Sequence, residues 1–314
     1  MSNPAETFEP HRRRLLGLAY RMLGAMSDAE DAVQEAYLRW HAADRDRVLD
    51  PRAFLMTTTT RICLDMLTSA RARREEYVGP WLPEPVFDTA ALAPDSRAEL
   101  AEDLSISLLL ILETLSPLER AAFLLHDVFD FSFSEVAAAL DRSEAACRKL
   151  ATRARAHVRV ARPRGITSPS AGPGGLDKKH AELMSAFAAA TQAGDLNTLM
   201  HLLANDARVV TDGGGKVRSA LNAIDGAERV AKFRAEVTRK RPDAWWQPDF
   251  RLRFGSVNGL PGVIVESPGG PVQTTAFEID GDVIRALYIV RNPDKLRHLA
   301  TTRQRSDPDE TNMC

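Results

Sequence analysis

Ser132-Phe133-Ser134-Glu135-Val136-Ala137-Ala138-Ala139-Leu140-Asp141-Arg142-Ser143-Glu144-Ala145-Ala146-Cys147-Arg148-Lys149-Leu150 opens the stretch that decides the fold, and the stretch runs on to Arg164. It reads as a helix-turn-helix with a basic tail. Val136, Ala137 and Leu140 share one face of a first helix that Ser134 is placed to cap. Asp141-Arg142 makes the turn. Ser143 caps a second helix running from Glu144 to about Arg159, with Ala146, Leu150, Ala154 and His157/Val158 as its apolar stripe. Between Arg142 and Arg164 eight Arg or Lys stand against one acid, a local charge of +7 on a chain of net charge −2. Charge so concentrated wants a polyanion. In a groove-reading helix-turn-helix the second helix enters the major groove, so Ser143, Glu144, Ala145, Arg148 and Lys149 would meet base edges or flanking phosphates. Arg153 and Arg155, further along, would meet phosphates.

A basic helix alone is as readily a solvated face. Its context argues otherwise: an apolar helix from Pro117 to Phe129, capped by Ser116, precedes the pair, and Leu104 to Leu115 completes a four-helix module. The 314 residues suit two or three domains, and a hydrophobic content of 44% with 27% charged residues is that of an ordinary soluble protein. No run reaches the roughly 18 apolar residues of a membrane span, and no signal peptide is visible, so a cytoplasmic location is expected. Cys63, Cys147 and Cys314 form no metal-binding or disulfide pattern, so packed thiols and no metal are expected.

Residues 5 to 75 are helical and amphipathic. Leu15, Leu16, Leu18, Ala19 and Met22 form the core side of a first helix, Phe8 to Leu23, that Gly24 ends. Ser27-Asp28-Ala29-Glu30 reads as a capping box opening the second, whose outer face shows Asp28, Asp31, Gln34 and Glu35. After a polar loop, 42–51, a third helix runs from Arg52 to about Arg74 and carries a basic edge near its end.

Ser27-Asp28-Ala29-Glu30-Asp31-Ala32-Val33-Gln34-Glu35, then Pro51-Arg52-Ala53-Phe54-Leu55, then Arg61-Ile62-Cys63-Leu64-Asp65-Met66-Leu67, and then the helix-turn-helix ending Arg153-Ala154-Arg155 together resemble an extracytoplasmic-function (group IV) sigma factor. The resemblance implies a sigma-2 helical bundle in residues 1–75 and a sigma-4 helix-turn-helix in 98–162, both all-α. It implies that Asp28, Asp31, Gln34 and Glu35 bind core RNA polymerase. Arg52, Phe54, Arg61, Asp65, Arg71, Arg73 and Arg74 would take the −10 element, and Ser143 to Arg155 the −35 element. Strand separation needs pockets for unstacked bases and cations for the single strand, which agrees.

A proline-rich linker, 76–97, joins these modules, and a Pro/Gly linker, 162–176, leads to a third domain over 177–300, with a tail at 301–314 that reads as disordered. Trp81 and Leu82, in Trp81-Leu82-Pro83-Glu84-Pro85, are too apolar for a spacer and should bury, either along the polymerase or on another domain of this chain. The third domain shows helices at Lys178 to Ala193, Leu196 to Leu203 and Gly226 to Arg239. It also shows a hairpin signal over Val209 to Val217 and strand-like runs at Asp249 to Val257, Pro261 to Ser267, Gln273 to Ile279 and Val283 to Val290. Helices followed by a curled antiparallel sheet resemble the SnoaL-like branch of the cone-shaped α+β barrels (NTF2-like), and sigma factors with such an extension form a subgroup. The segments Asp212-Gly213-Gly214-Gly215-Lys216, Asn292-Pro293-Asp294-Lys295-Leu296 and Trp81-Leu82-Pro83-Glu84-Pro85 carry that match. Trp81, Leu82, Asp212, Gly213, Gly214, Gly215 and Lys216 are read from it as regulatory contacts.

Such barrels often hold a small apolar ligand, with Trp245, Trp246, Phe254 and Phe277 as walls here and Asp212, Glu266, Glu278 and Asp249 as carboxylates. A carboxylate on an alternating strand usually faces solvent, so a regulatory or ligand-sensing role is favoured over catalysis, and no cofactor is expected. The expected function is a promoter-specificity subunit with core polymerase and promoter DNA as partners and a C-terminal domain that modulates it. The alternatives are a ligand-responsive regulator that binds duplex without polymerase, and an isomerase- or cyclase-like enzyme with a DNA-binding appendage.

Overall fold

In the computed structural model, residues 3–75, 77–87, 106–161, 178–240 and 249–300 are described. Helix α1 (Pro4–Leu23) ends at Gly24, whose φ of 72° supplies the left-handed cap, with its N–H on the Tyr20 carbonyl. Helix α2 (Met26–Ala42) and helix α3 (Pro51–Glu75) pack on it, burying Leu15, Leu18, Met22, Trp40, Leu55 and Ile62. The expected capping box at Ser27 does not form. Helix α2 starts two residues earlier, with Ala25 at the N-cap position, and the acceptor for the Met26 N–H (2.7 Å) is the carboxylate of Glu84, from the proline-rich segment far along the chain.

Helices α4 (Ile106–Glu113), α5 (Pro117–Phe123), α6 (Phe133–Leu140) and α7 (Glu144–Ala161) form the second helical unit. Ser116 caps α5 in a reciprocal box with Glu119. Ser132, not Ser134, caps α6, because Glu135 stands three residues after it and returns the bond to its backbone. The buried stripe of α7 is Cys147, Ala151, Ala154 and Val158: Ala154 and Val158 are as expected, while Cys147 and Ala151 replace Ala146 and Leu150, which are half-buried, and His157 is exposed. Cys63 and Cys147 are packed thiols, and burial pushes both pKa values up. The helix expected through Phe129 widens into a π turn over Leu124–Val128. One core, from Phe8 to Val158, runs through both helical units without a break.

The third domain has helices α8 (Lys178–Ala193), α9 (Leu196–Leu202) and α10 (Ala227–Lys240). Its six strands are β1 (Leu203–Asp212), β2 (Ile224–Asp225), β3 (Arg251–Val257), β4 (Leu260–Ser267), β5 (Gly270–Asp280) and β6 (Val283–Val290). They lie in the order β2-β1-β6-β5-β4-β3. The unit is α+β, as expected, but its sheet is mixed, because β1 pairs with β6 in parallel. The hairpin expected after Val209 is absent. The Asp212 side chain takes the Gly214 N–H, and the N–H groups of Lys216 and Val217 both turn back onto the Gly213 carbonyl, which carries the chain off the sheet.

Both faces of this sheet are covered. Phe277, Ile279, Leu287 and Ile289 face the three helices, with Phe187 and Val230 across from them. Ala276, Ala286, Tyr288 and Val290 face the other way, onto Leu82 of the linker and Ile106 of α4. Strand β5 is therefore buried along most of its length, and its polar residues Gln273, Thr274, Thr275 and Glu278 are buried with it.

The linker cap of α2 is testable by urea unfolding. Glu84→Ala should cost about 1–2 kcal/mol, the range of a lost helix cap. Ser27→Ala, which removes only a long hydroxyl contact to Glu84 (3.4 Å), should cost under about 0.5 kcal/mol. The reverse ranking would restore the local capping box.

Candidate nucleic-acid interface and its tether

Ser143, Glu144, Ala145, Arg148, Lys149, Arg153 and Arg155 are all exposed on α7. The Ser143 hydroxyl accepts from the Ala146 N–H at 3.3 Å. Arg148 pairs with Glu144 at 2.8 Å and lies 5.0 Å over the Phe133 ring, while Arg155 pairs with Asp127 at 2.7 Å. These pairs aim the two guanidinium groups, but the half-exposed sites keep the pairing weak and exchangeable.

The −10 candidates lie in a different setting. Phe54 packs on Trp40 with ring centres 5.6 Å apart, and Asp65 is exposed. Arg52 donates to the Phe129 carbonyl (3.0 Å) and stacks on Phe131 (5.1 Å); Arg14 reaches the same carbonyl at 3.4 Å. Two cations on one carbonyl are costly. Burial first, then the Arg52 charge, lowers the Arg14 pKa. Arg61 donates to the carbonyls of Ala139 (2.9 Å) and Ala138 (2.7 Å), at the C-terminal end of α6. That end carries partial negative charge and unsatisfied carbonyls, so it is a natural seat for a guanidinium. Arg120, buried on the other side, donates to the Met22 carbonyl and pairs with Glu113 at 3.0 Å. Arg71, Arg73 and Arg74 belong to α3, but their side chains lie outside the described residues.

On α2, Asp31 and Gln34 are exposed, Asp28 and Glu35 partly so, and Glu35 pairs with Arg39 at 2.9 Å. The acidic face is thus presented to solvent.

Linker residues 77–87 lie between all three units. Asp212 is fully buried and accepts from the Tyr77 hydroxyl (2.5 Å), the Leu82 N–H (2.9 Å), the Gly214 N–H (3.1 Å) and the Lys295 ammonium (2.8 Å). Burial, then the hydrogen bond to Asp212 and its charge, raises the Tyr77 pKa. Lys295 also donates to the Leu82 carbonyl at 2.5 Å and lies 4.2 Å from the Trp81 ring centre. The far edge of that ring rests on Gly24, where a Cβ would overlap it. Gly214 and Gly215, both at positive φ, let the turn come against Asn292, Tyr77 and Val78; Lys216 pairs with Asp294. The structure therefore brings Trp81, Leu82 and Asp212 to Lys216 into one cluster.

Asp212 and Glu278 overturn the solvent-face reading of the strand carboxylates. Glu278 is buried and accepts from Ser107 of α4 (2.9 Å), distant in sequence, and from Tyr288 of the neighbouring strand β6 (2.8 Å). Glu266 pairs with Arg253 at 3.2 Å, and Asp249 is exposed. Phe254 and Phe277 do line one pocket; Trp245 and Trp246 lie outside the described residues, as does Cys314. The sequence reading missed Asn258, which joins all three units. Its amide donates to the Tyr20 hydroxyl (2.6 Å), its side-chain oxygen accepts from the Val86 N–H (3.1 Å), and its carbonyl accepts from the Ile106 N–H (3.2 Å). Asn258-Gly259, both at positive φ between β3 and β4, is the hairpin dipeptide that would have flagged it.

Models of Sigma-70 region 2 and Sigma-70 region 4 match residues 7–73 and 105–158. The ECF RNA polymerase sigma factor SigJ of Mycobacterium tuberculosis is 41% identical over 308 residues, 96% of each chain. This chain belongs to the ECF RNA polymerase sigma factors. A second relative from the same organism, the probable ECF RNA polymerase sigma factor SigI, is 30% identical over 91% of this sigma factor and 92% of its own length. The crystal structure of SigJ matches with a TM-score of 0.71 at 35% identity, over 93% of this sigma factor and 97% of that one. Transcription initiation is the function that regions 2 and 4 serve, and the class is one of non-catalytic transcription factors that bind core RNA polymerase and promoter DNA. Among the described residues no helix is long and apolar enough to cross a membrane.

Asp212→Ala would leave the Lys295 ammonium buried without its partner. A loss of about 3–5 kcal/mol in urea unfolding is expected. The double change Asp212→Ala, Lys295→Met should recover only the part due to the unpaired charge, because the Leu82 N–H and carbonyl still lose their partners; a single variant as stable as the parent would show the pair to be idle.

Proposed function

We propose that this sigma factor binds core polymerase through Asp28, Asp31, Gln34 and Glu35, and reads the −35 element with Ser143, Glu144, Ala145, Arg148, Lys149, Arg153 and Arg155. It opens the −10 element with Arg52, Phe54, Arg61, Asp65, Arg71, Arg73 and Arg74. The observation that carries the reading is the division of labour among its arginines. Those of α7 are exposed and pair, where they pair, with carboxylates of their own unit, whereas Arg52 and the likewise exposed Arg61 reach across the boundary to backbone carbonyls of the second helical unit. The free chain is then a closed form. Engagement of polymerase by α2 must part the two helical units before Arg52 and Arg61 can hold a melted strand, which gives duplex opening only on the enzyme.

The third domain, in this reading, is a regulatory module acting in the cytoplasm. Its contacts at Trp81, Leu82 and Asp212 to Lys216 hold the linker, so its grip sets how easily the units part, and a small ligand bound to it would alter that grip. A regulator binding duplex alone leaves the acidic face of α2 without a role.

Reconstitution with core polymerase tests the scheme. The parent should join core and start transcription from a cognate promoter, and Asp31→Ala with Glu35→Ala should weaken the joining. Arg148→Ala should relax discrimination at one −35 position at a cost of about 1–3 kcal/mol. A uniform loss over all promoters would make it a phosphate contact, and failure of the parent to join core would end the proposal.

A further inference from the structure

Two adjoining pockets of the third domain share Arg234 and Gln273 as walls. One is apolar: Met184, Phe187, Leu252, Phe254, Val263 and Phe277 line it, with Thr191 at its edge. The other is cationic, lined by Arg218, Arg234, Lys240 and Arg291 against a single carboxylate, Glu236, which Lys240 already pairs at 2.6 Å. Together they form an amphipathic cleft, greasy at one end and positive at the other.

The polar atoms at the junction are incompletely partnered. The Gln273 side chain is buried, and its amide donates to Thr275 at 3.0 Å while its oxygen has no donor among the described residues. Swapping the amide's oxygen and nitrogen would still leave one function over. The Thr191 hydroxyl and Arg234 Nε, both enclosed, also have no hydrogen-bond partner there. Arg234 lies 5.9 Å from the Phe187 ring centre, and desolvation, with the Arg291 charge second, brings its pKa down to about 10. Arg234 is partly buried with its Nε enclosed, and a guanidinium drawn from water without a carboxylate is costly, since buried charges ordinarily come paired.

We infer that this cleft binds an amphipathic organic monocarboxylate, with its acid on the Arg234 side and its apolar body between Phe187, Phe254 and Phe277. A planar guanidinium matches a carboxylate in two parallel hydrogen bonds, and the negative charge offsets the desolvation that Arg234 already bears. The apolar pocket adds burial without needing further polar groups. The inference rests on the regulatory reading of the third domain and names the ligand class that reading leaves open.

Calorimetry on the full-length sigma factor, without polymerase, tests it with decanoate, decanol and decylammonium. Decanoate should bind saturably, decanol about tenfold or more weakly, and decylammonium not at all. Arg234→Ala should weaken decanoate by about tenfold or more and leave decanol unchanged. Ala188→Phe, at a half-exposed position in the apolar wall, should block both probes and keeps the test open if Arg234→Ala does not fold. The inference is overturned if decanoate fails to saturate, if decanol or decylammonium binds as tightly, or if both variants bind decanoate like the parent. The regulatory reading is judged separately, by transcription from a cognate promoter with and without residues beyond 164. No change on truncation would end that reading even with decanoate bound, and a change on truncation without decanoate binding would overturn the ligand alone.

Discussion

A carboxylate carried wholly out of water has to be surrounded by donors, and Asp212 meets that requirement only by drawing two distant pieces of chain onto its own turn. The Tyr77 hydroxyl and Leu82 N–H come from the linker, Lys295 from the segment after β6, and the Gly214 N–H from its own turn. The cluster is closed on itself, so none of its members is replaceable alone. Because Lys295 also holds the Leu82 carbonyl and faces Trp81, whose ring rests on Gly24 of the first helical unit, one buried ion pair anchors the linker against two domains. Glu84 and Asn258 extend the arrangement to the start of α2 and to Ile106 at the head of α4.

The two helical units meet differently. Their shared apolar core supplies cohesion, while the polar part of the contact consists of arginines on backbone carbonyls: Arg52 on Phe129, Arg61 on Ala138 and Ala139, Arg120 on Met22. At Arg52 and Arg61 the carbonyls offer dipoles but no countercharge, so a polyanion competes well for these groups, whereas Arg120 is also held by Glu113. That asymmetry suits a contact that must give way, whereas the Asp212 cluster, with its charges matched, suits one that persists. The π turn over Leu124–Val128 makes the contact available by bringing Phe129 and Phe131 against Arg14, Arg21 and Arg52.

The third domain has both sheet faces covered, by its own helices on one side and by the linker with α4 on the other. Its second sheet face thus forms a cluster of its own with Leu82 and Ile106, apart from the core of the helical units. Its amphipathic cleft lies on the helix side, so occupancy there and the linker contacts are read by opposite faces of the same strands: Phe277 lines the cleft, while Ala276 and Glu278 beside it meet the partner units.

Much was legible in the chain itself. The spacing of Val136 and Leu140, the proline after Ser116, the glycine at position 24 and the run of arginines after Ser143 are local signals, and local signals dictate helices, caps and charged faces. The order of motifs from Ser27 to Arg155 carried the family. Two local signals were outbid: Ser27 lost the α2 cap to Glu84, because a carboxylate held by the linker is a better acceptor than a hydroxyl, and the glycine run after Asp212 lost its hairpin to a side-chain turn. The burial of Asp212 and Glu278, the junction at Asn258 and the engagement of Arg52 and Arg61 belong to the tertiary structure alone. The sequence by itself determined which elements form and what charge they show. Which polar groups leave water was decided only in the folded chain, because the partners that permit it stand tens to hundreds of residues away and leave no periodic trace.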